Sequence, residues 1–236
     1  MKNELLLIPN KADIERDAIA NTWINNGGEV KRIGKFWEHP DIGTKRVTIY
    51  GIDTFSLVLA QVIGVSLIEP KDEVISELSQ KWIKRSIHVL PISNVSESLF
   101  PTFIKPVKPK TFKSQVYLSY EEFIVGTKGI GSEEEIIQSE ILHIDVEVRT
   151  FILNNNILDM AIYEGTTNLE DAKTFLKDFL THHTIDVPNT YVIDLGYNTK
   201  DDWFIIEFNS SWGAGLNGCN PDKVIAGIRE ATINLF

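Results

Sequence analysis

The segment Trp203-Phe-Ile-Ile-Glu207-Phe-Asn209 carries the densest chemical signal in this 236-residue chain. Side chains alternate along a strand, so Glu207 and Asn209 are expected on one face, about 7 Å apart. Phe204, Ile206 and Phe208 are expected on the other. Upstream, Tyr191-Val-Ile-Asp194-Leu-Gly places another acid inside an apolar strand, on the face opposite Tyr191, Ile193 and Leu195. The turn Asn198-Thr-Lys-Asp-Asp202 makes the two strands antiparallel neighbours, so that Asp194 and Glu207 can converge. Two carboxylates and an amide are hard oxygen donors, which suit Mg²⁺ bridging phosphates better than zinc. Either acid alone is better explained by a half-exposed sheet. The set Asp…Glu-x-Asn on paired strands favours metal binding.

Two further clusters carry charge. Lys105, Lys108, Lys110 and Lys113 put four lysines within nine residues of an otherwise acidic chain. Lysine suits phosphate as a point charge, although a basic surface loop explains an isolated cluster equally well. Pro106 and Pro109 remove two backbone donors from this run and stiffen it. In Val146-Glu147-Val148-Arg149, alternation puts Glu147 and Arg149 on one face and the two valines on the other. That pair reads either as a surface ion pair of little weight or as a ligand pair, with Glu147 on ribose hydroxyls and Arg149 clasping a phosphate or carboxylate.

The elements that must position these residues fall into two textures. Residues 4–9 form an apolar strand, 12–25 an amphipathic helix stopped at Asn26-Gly27-Gly28, and 30–33 and 46–50 two more strands. A helix over 53–63 capped by Asp53, a strand over 65–68 and a helix over 72–84 follow. This alternation predicts a parallel, helix-covered sheet. Around residues 85–102 the sequence turns to Ser, Pro and Asn, which puts a domain boundary near residue 90. Beyond it strands dominate, at 102–106, 115–119, 135–142, 146–153, 157–163, 190–196 and 203–209. Helices at 168–180, capped by Asn168, and at 221–234 complete an α+β unit with an antiparallel sheet. The expected division is residues 1–90 as an α/β domain and 91–236 as the unit that bears the chemistry.

Composition narrows the function classes. With 43% hydrophobic and 24% charged residues the chain has the make-up of a soluble globular protein. No apolar run reaches the roughly 20 residues of a membrane span, and the apolar stretch at Leu5–Ile8 is too short for a signal peptide. A net charge of −10 argues against nucleic acid and anionic membrane as partners. Cys219 is the single cysteine, which excludes an intramolecular disulfide and suits a reducing, cytoplasmic setting. No Ser–His–Asp or Cys–His arrangement suggests a covalent protein intermediate.

Taken in order, these residues resemble the ATP-grasp superfamily. Its members carry a phosphate lysine, a hinge that holds adenine about thirty-five residues later and a ribose acid about seven further on. Lys105, Glu140 and Glu147 match that order. The metal set of Asp and Glu about thirteen apart, with Asn two beyond, matches Asp194, Glu207 and Asn209. The likeness covers roughly residues 100–236, and the first 90 resemble the α/β domain that usually precedes them. Lys105-Pro, Lys110-Thr-Phe and Glu147-x-Arg149-x-Phe resemble more closely a clade of small phage and bacterial ATP-grasp proteins named for one arginine and two lysines. One departure stands out: residues 106–116, where the family has a glycine-rich phosphate loop, contain no glycine.

The resemblance implies an ATP-grasp fold, with antiparallel nucleotide-binding lobes behind the N-terminal α/β domain. It implies ATP and Mg²⁺, with Lys105 and Lys110 on phosphates, Glu140 and the Leu142 backbone at adenine, and Glu147 at ribose. Asp194, Glu207 and Asn209 would hold the metal, and Arg149 would stabilise the transferring phosphoryl group. The implied reaction is ADP-forming ligation of a carboxylate to an amine through an acylphosphate. Free amino acids, peptides and proteins all stand as substrates, and a homodimer is left open. A phosphotransferase on the same site and a non-catalytic nucleotide-binding protein are the rival readings.

Overall fold

The computed structural model describes residues 1–234; Leu235 and Phe236, at the end of the 91–236 unit, lie outside the described residues. The N-terminal layer is a three-stranded parallel sheet of β1 (Glu4–Pro9), β2 (Glu29–Ile33) and β3 (Arg46–Ile49), ordered β2-β1-β3. The central strand β1 is apolar throughout because both of its faces are covered. Leu6 and Ile8 pack with Ile19, Ala20 and Trp23 of α1 (Ile14–Asn25), whereas Leu5 and Leu7 pack with Phe55 and Leu59 of α2 (Asp53–Ile63). Asp13 caps α1 by accepting from the Arg16 N–H. Gly64 ends α2 in the left-handed conformation that a glycine adopts without steric cost.

Several expected elements differ in this half. Asp53 is not a cap: Ile52 holds that position, and Asp53 lies in the first turn with its side chain elsewhere. Strand β4 (Val65–Leu67) does not extend the parallel sheet but pairs antiparallel with β13 (Thr232–Asn234). The last helix, α6, accordingly stops at Glu230 (Pro221–Glu230). The expected helix over 72–84 is instead a 3₁₀ turn at Val74–Glu77 and the short α3 (Gln80–Ile83), interrupted by Leu78 in an extended conformation.

Two antiparallel four-stranded sheets make up the rest. The smaller lobe, ordered β5-β8-β6-β7, comprises β5 (Ile87–Pro91), β6 (Thr102–Pro106), β7 (Gln115–Tyr117) and β8 (Glu135–Ser139). Helix α4 (Tyr120–Gly126) closes its core through Phe123, which packs with Ile104, Tyr117 and Ile136. Neither β5 nor α4 is legible from alternation: β5 has no fully buried residue and α4 buries only Phe123. The larger sheet, ordered β10-β9-β11-β12, comprises β9 (Val146–Leu153), β10 (Asn156–Glu164), β11 (Thr190–Asn198) and β12 (Asp202–Asn209). Helix α5 (Leu169–His182), capped by Asn168 as expected, buries Leu176 and Phe179 against Val148, Ile193 and Ile205 on one face of this sheet. The other face meets α6 and the N-terminal layer through Phe151 and Val192. Strand β8 ends at Ser139, so residues 140–145 form an extended hinge between the two sheets.

Candidate active site

Two cavities meet between the lobes. One, of about 180 Å³, is walled by Ile87, Phe103 and Ile137 from the small lobe, by Glu140, Ile141, Leu142 and Ile144 of the hinge, and by Phe204 and Ile206 of β12. The second, of about 580 Å³, is polar and is lined by Lys105, Lys108 and Lys110, by Asp53, Glu69 and Asp72, and by Glu207 and Asn209. Lys105 and Glu207 belong to both walls, with Nζ and Oε2 4.0 Å apart.

A β-bulge creates this arrangement. Asp194 pairs with Glu207 as expected, but Leu195 pairs with Ile205, so Ile206 is an extra residue on β12. One extra residue inverts the side-chain parity. Trp203 and Ile205 therefore enter the core, while Phe204 and Ile206 line the apolar cavity together with Glu207. Simple alternation assigned Phe204 and Ile206 to the face opposite Glu207, and the bulge overturns that. Gly196 of β11 leaves room for the wall: a Cβ there would stand 2.4 Å from the Phe204 ring and 3.1 Å from Ile206.

Asp194, Glu207 and Asn209 do come together. The Asn209 amide nitrogen donates to Asp194 Oδ2 and to Glu207 Oε1, both at 3.1 Å. Asp194 is buried, and Arg149 clasps it with Nε to Oδ1 at 2.8 Å and Nη2 to Oδ2 at 2.5 Å. Burial raises the Asp194 carboxyl above its usual range, Arg149 offsets this, and nearby Glu207 and Glu147 push it up further. Asp194 lies behind the cavities, whereas Glu207 and Asn209 open onto the polar one. Among the described residues no group of three His, Cys, Asp or Glu side chains forms a metal cluster. The set here is two carboxylates and an amide, hard donors of the kind Mg²⁺ takes, with Arg149 paired to Asp194 and Lys105 4.0 Å from Glu207.

The remaining sequence candidates are distributed around this centre. Lys110, with φ +66, bonds Asp53 Oδ2 at 2.8 Å, so the glycine-free loop reaches across the polar cavity to α2. The Glu140 carboxylate accepts from the Ser86 N–H at 2.7 Å, and only its wall position is shared with the apolar cavity. Glu147 and Arg149 share a face as expected but do not pair with each other. Tyr163 donates its hydroxyl to Glu147, and its ring lies 5.8 Å from the Arg149 guanidinium. Tyr163 is itself the extra residue of a bulge in β10, between Ile162 and Glu164, so alternation gives no sign of its role. Arg149 Nη1 also donates to Gly215 O at 3.0 Å, while Glu15 of α1 accepts from the Leu216 and Asn217 N–H groups at 2.9 and 2.7 Å. The loop after Asn209 is thus held from both the large sheet and the N-terminal layer.

Sequence reasoning missed Arg85. Its guanidinium donates to Ser139 Oγ and to the carbonyls of Ile83, Ile205 and Ile206, all at 2.9–3.0 Å, and it lines the apolar cavity. Burial lowers it to about 10, with the Glu207 charge acting in the opposite direction. It stays protonated at neutral pH. Burial also raises the Glu69 carboxyl, with Asp72 and Asp53 adding to it, and raises Asp72 against the influence of Lys105.

The fold is that of ATP-grasp proteins. The RimK domain protein ATP-grasp from Sphaerobacter thermophilus superposes with a TM-score of 0.64 at 10% identity, covering 96% of this chain and 98% of that one. N5-carboxyaminoimidazole synthase from Aspergillus clavatus, in complex with ADP and 5-aminoimidazole ribonucleotide, gives 0.62 at 11% identity over 99% and 79% of the two chains. D-alanine–D-alanine ligase from Bacillus anthracis gives 0.55 at 12% identity, over 96% of each. The chain belongs to the ATP-grasp family, R2K clade family 2, whose domain model matches residues 82–226. No curated protein matches it in sequence. No helix among the described residues is long and apolar enough to cross a membrane.

Proposed function

We propose that the protein is an ADP-forming ligase that joins a carboxylate to an amine at the expense of ATP. The observation that carries this reading is the shared wall at Lys105 and Glu207. It joins an apolar cavity suited to a purine to a polar one suited to phosphates and an acid. The Leu142 backbone and the aliphatic walls receive adenine, Glu140 fixes the hinge through Ser86, and Glu147 takes the ribose. Lys105 and Lys110 neutralise phosphate oxygens, Lys110 after leaving Asp53. Glu207, Asn209 and Asp194 would hold Mg²⁺. Such an ion would supply positive charge to the nucleotide phosphates.

In the reaction, an oxygen of the substrate carboxylate attacks the γ-phosphorus, the bond to the β-phosphate oxygen breaks, and ADP leaves. An amine nitrogen then attacks the acyl carbon, phosphate departs, and the amine releases a proton. The protein contributes position and charge, with Arg149 near the transferring group. The proposed substrates are amino acids, peptides or protein termini, acted on in the cytoplasm. D-alanine–D-alanine ligase and an L-amino acid ligase, both of this fold, support that class of substrate.

The test is ADP and phosphate release from Mg·ATP with panels of amino acids and peptides, with and without an added amine. ADP formation that needs both acid and amine, with one amide formed per ADP, supports the ligase. ADP with a phosphorylated product and no need for amine assigns a phosphotransferase, and nucleotide binding without turnover on any pair assigns a non-catalytic binder.

A further inference from the structure

The bulge in β12 decides which face Glu207 takes, so whatever holds the bulge holds the site. In a regular strand consecutive carbonyls point to opposite sides. A single guanidinium can donate to both only where the strand is distorted. Arg85 donates to the carbonyls of Ile205 and Ile206 at 2.9 Å each, from Nη1 and Nη2 respectively. These are the two residues at which the pairing with β11 slips. β12 is an edge strand, so no further strand is present to satisfy these carbonyls.

We propose that Arg85 is a positioning residue: its fork locks the β12 bulge and thereby keeps Glu207 on the ligand face. The inference rests on the reading of Glu207 as a metal-side ligand. The same guanidinium reaches the hinge. Its Nε donates to Ser139 Oγ at 3.0 Å, and that hydroxyl donates to Glu140 O at 2.8 Å. One buried side chain therefore ties the base-binding hinge to the metal-side strand. Four of its five N–H donors are used, and both Nη bonds to β12 need a planar fork. Lysine cannot reproduce this, since an ammonium on a flexible stem presents no fixed fork.

The test separates nucleotide binding from its metal dependence in Arg85→Lys, Glu207→Gln and the wild type. ADP is titrated calorimetrically, once with EDTA and once with Mg²⁺. For Arg85→Lys, ADP affinity in EDTA is expected to fall by several-fold, because Arg85 and Ile206 both line the apolar cavity. The gain from Mg²⁺ is expected to fall by about tenfold or more, as for outer-shell residues of metal sites. An Mg²⁺ gain equal to wild type overturns the proposal, as does an equal loss in EDTA and in Mg²⁺, which marks a merely structural residue. If Glu207→Gln loses the gain and Arg85→Lys does not, only the role of Arg85 fails. If Glu207→Gln binds as wild type does, the reading of Glu207 fails and this inference with it. Should Arg85→Lys not fold, nitrogen NMR of the wild type decides. Arg85 guanidinium signals that exchange slowly and broaden with Mn²⁺ only when ADP is present support the proposal. Freely exchanging or unaffected signals contradict it.

Discussion

Arg149 and Asp194 stand directly opposite each other on β9 and β11, and the guanidinium clasps the buried carboxylate with two parallel bonds. The arrangement fixes both groups of the site from behind: Asp194 orients Asn209, and Arg149 reaches the Gly215 carbonyl. Removing one partner leaves the other charged and buried. Arg149→Ala is therefore expected to lose about 3 kcal/mol or more of stability in urea denaturation. Replacing both residues by apolar ones of similar size should recover most of it without restoring activity. Arg149→Ala with unchanged stability contradicts this account of the pair.

The contact between Lys110 and Asp53 is of a different kind. Their side chains are 63% and 42% exposed, so the pair adds little to stability but competes for Lys110. Asp53→Asn is expected to shift stability by less than about 1 kcal/mol and to tighten Mg·ATP binding by up to about fivefold. Lys110→Ala should weaken that binding. Binding unchanged in both variants, measured by calorimetry, separates the loop from the nucleotide.

Gly196 tests the wall of the apolar cavity. An added methyl meets the buried Phe204 ring and drives it toward the apolar cavity that it lines. Gly196→Ala is expected to cost about 1–3 kcal/mol in stability and to weaken ADP binding even without metal. Wild-type affinity in EDTA would show that Phe204 and Ile206 do not contact the base.

Much of the site was legible because its chemistry sits on regular strands. The pairing of Asp194 with Glu207, the shared face of Glu147 and Arg149, and the Asn168 cap all follow from alternation and spacing. Irregularity hid the rest. The bulges at Ile206 and Tyr163 insert one residue each, and alternation cannot register an insertion of one. Arg85 lies just before the short strand β5, in a stretch without apolar periodicity, and only the tertiary structure shows the carbonyls it satisfies. The N-terminal sheet is legible from its strand–helix alternation, in the partly exposed β2 as well as in the buried β1 and β3. β4 was assigned to that sheet because its partner β13 lay hidden in the end of a helical pattern.

Cys219 reports on packing beneath the site. Burial pushes its thiol up to about 12, with Asp159 adding to the shift. The thiolate is the reactive form, so a raised value means less of it at any working pH. Alkylation of the native protein is expected to be negligible between pH 7 and about 9, whereas the urea-unfolded chain reacts faster as pH rises through the ordinary thiol range near 8.5. Native reactivity that climbs in parallel with the unfolded chain would place Cys219 at the surface.

The central claim is that Lys105 and Glu207 join a nucleotide cavity to a metal-dependent phosphate site. Calorimetric titration of ATP into the wild type, Glu207→Gln and Lys105→Ala, each with and without Mg²⁺, tests it most directly. The account predicts micromolar binding to the wild type that strengthens with Mg²⁺. It predicts loss of that strengthening in Glu207→Gln and weaker binding under both conditions in Lys105→Ala. No binding of ATP by the folded wild type under any metal condition, or binding untouched by either substitution, contradicts it.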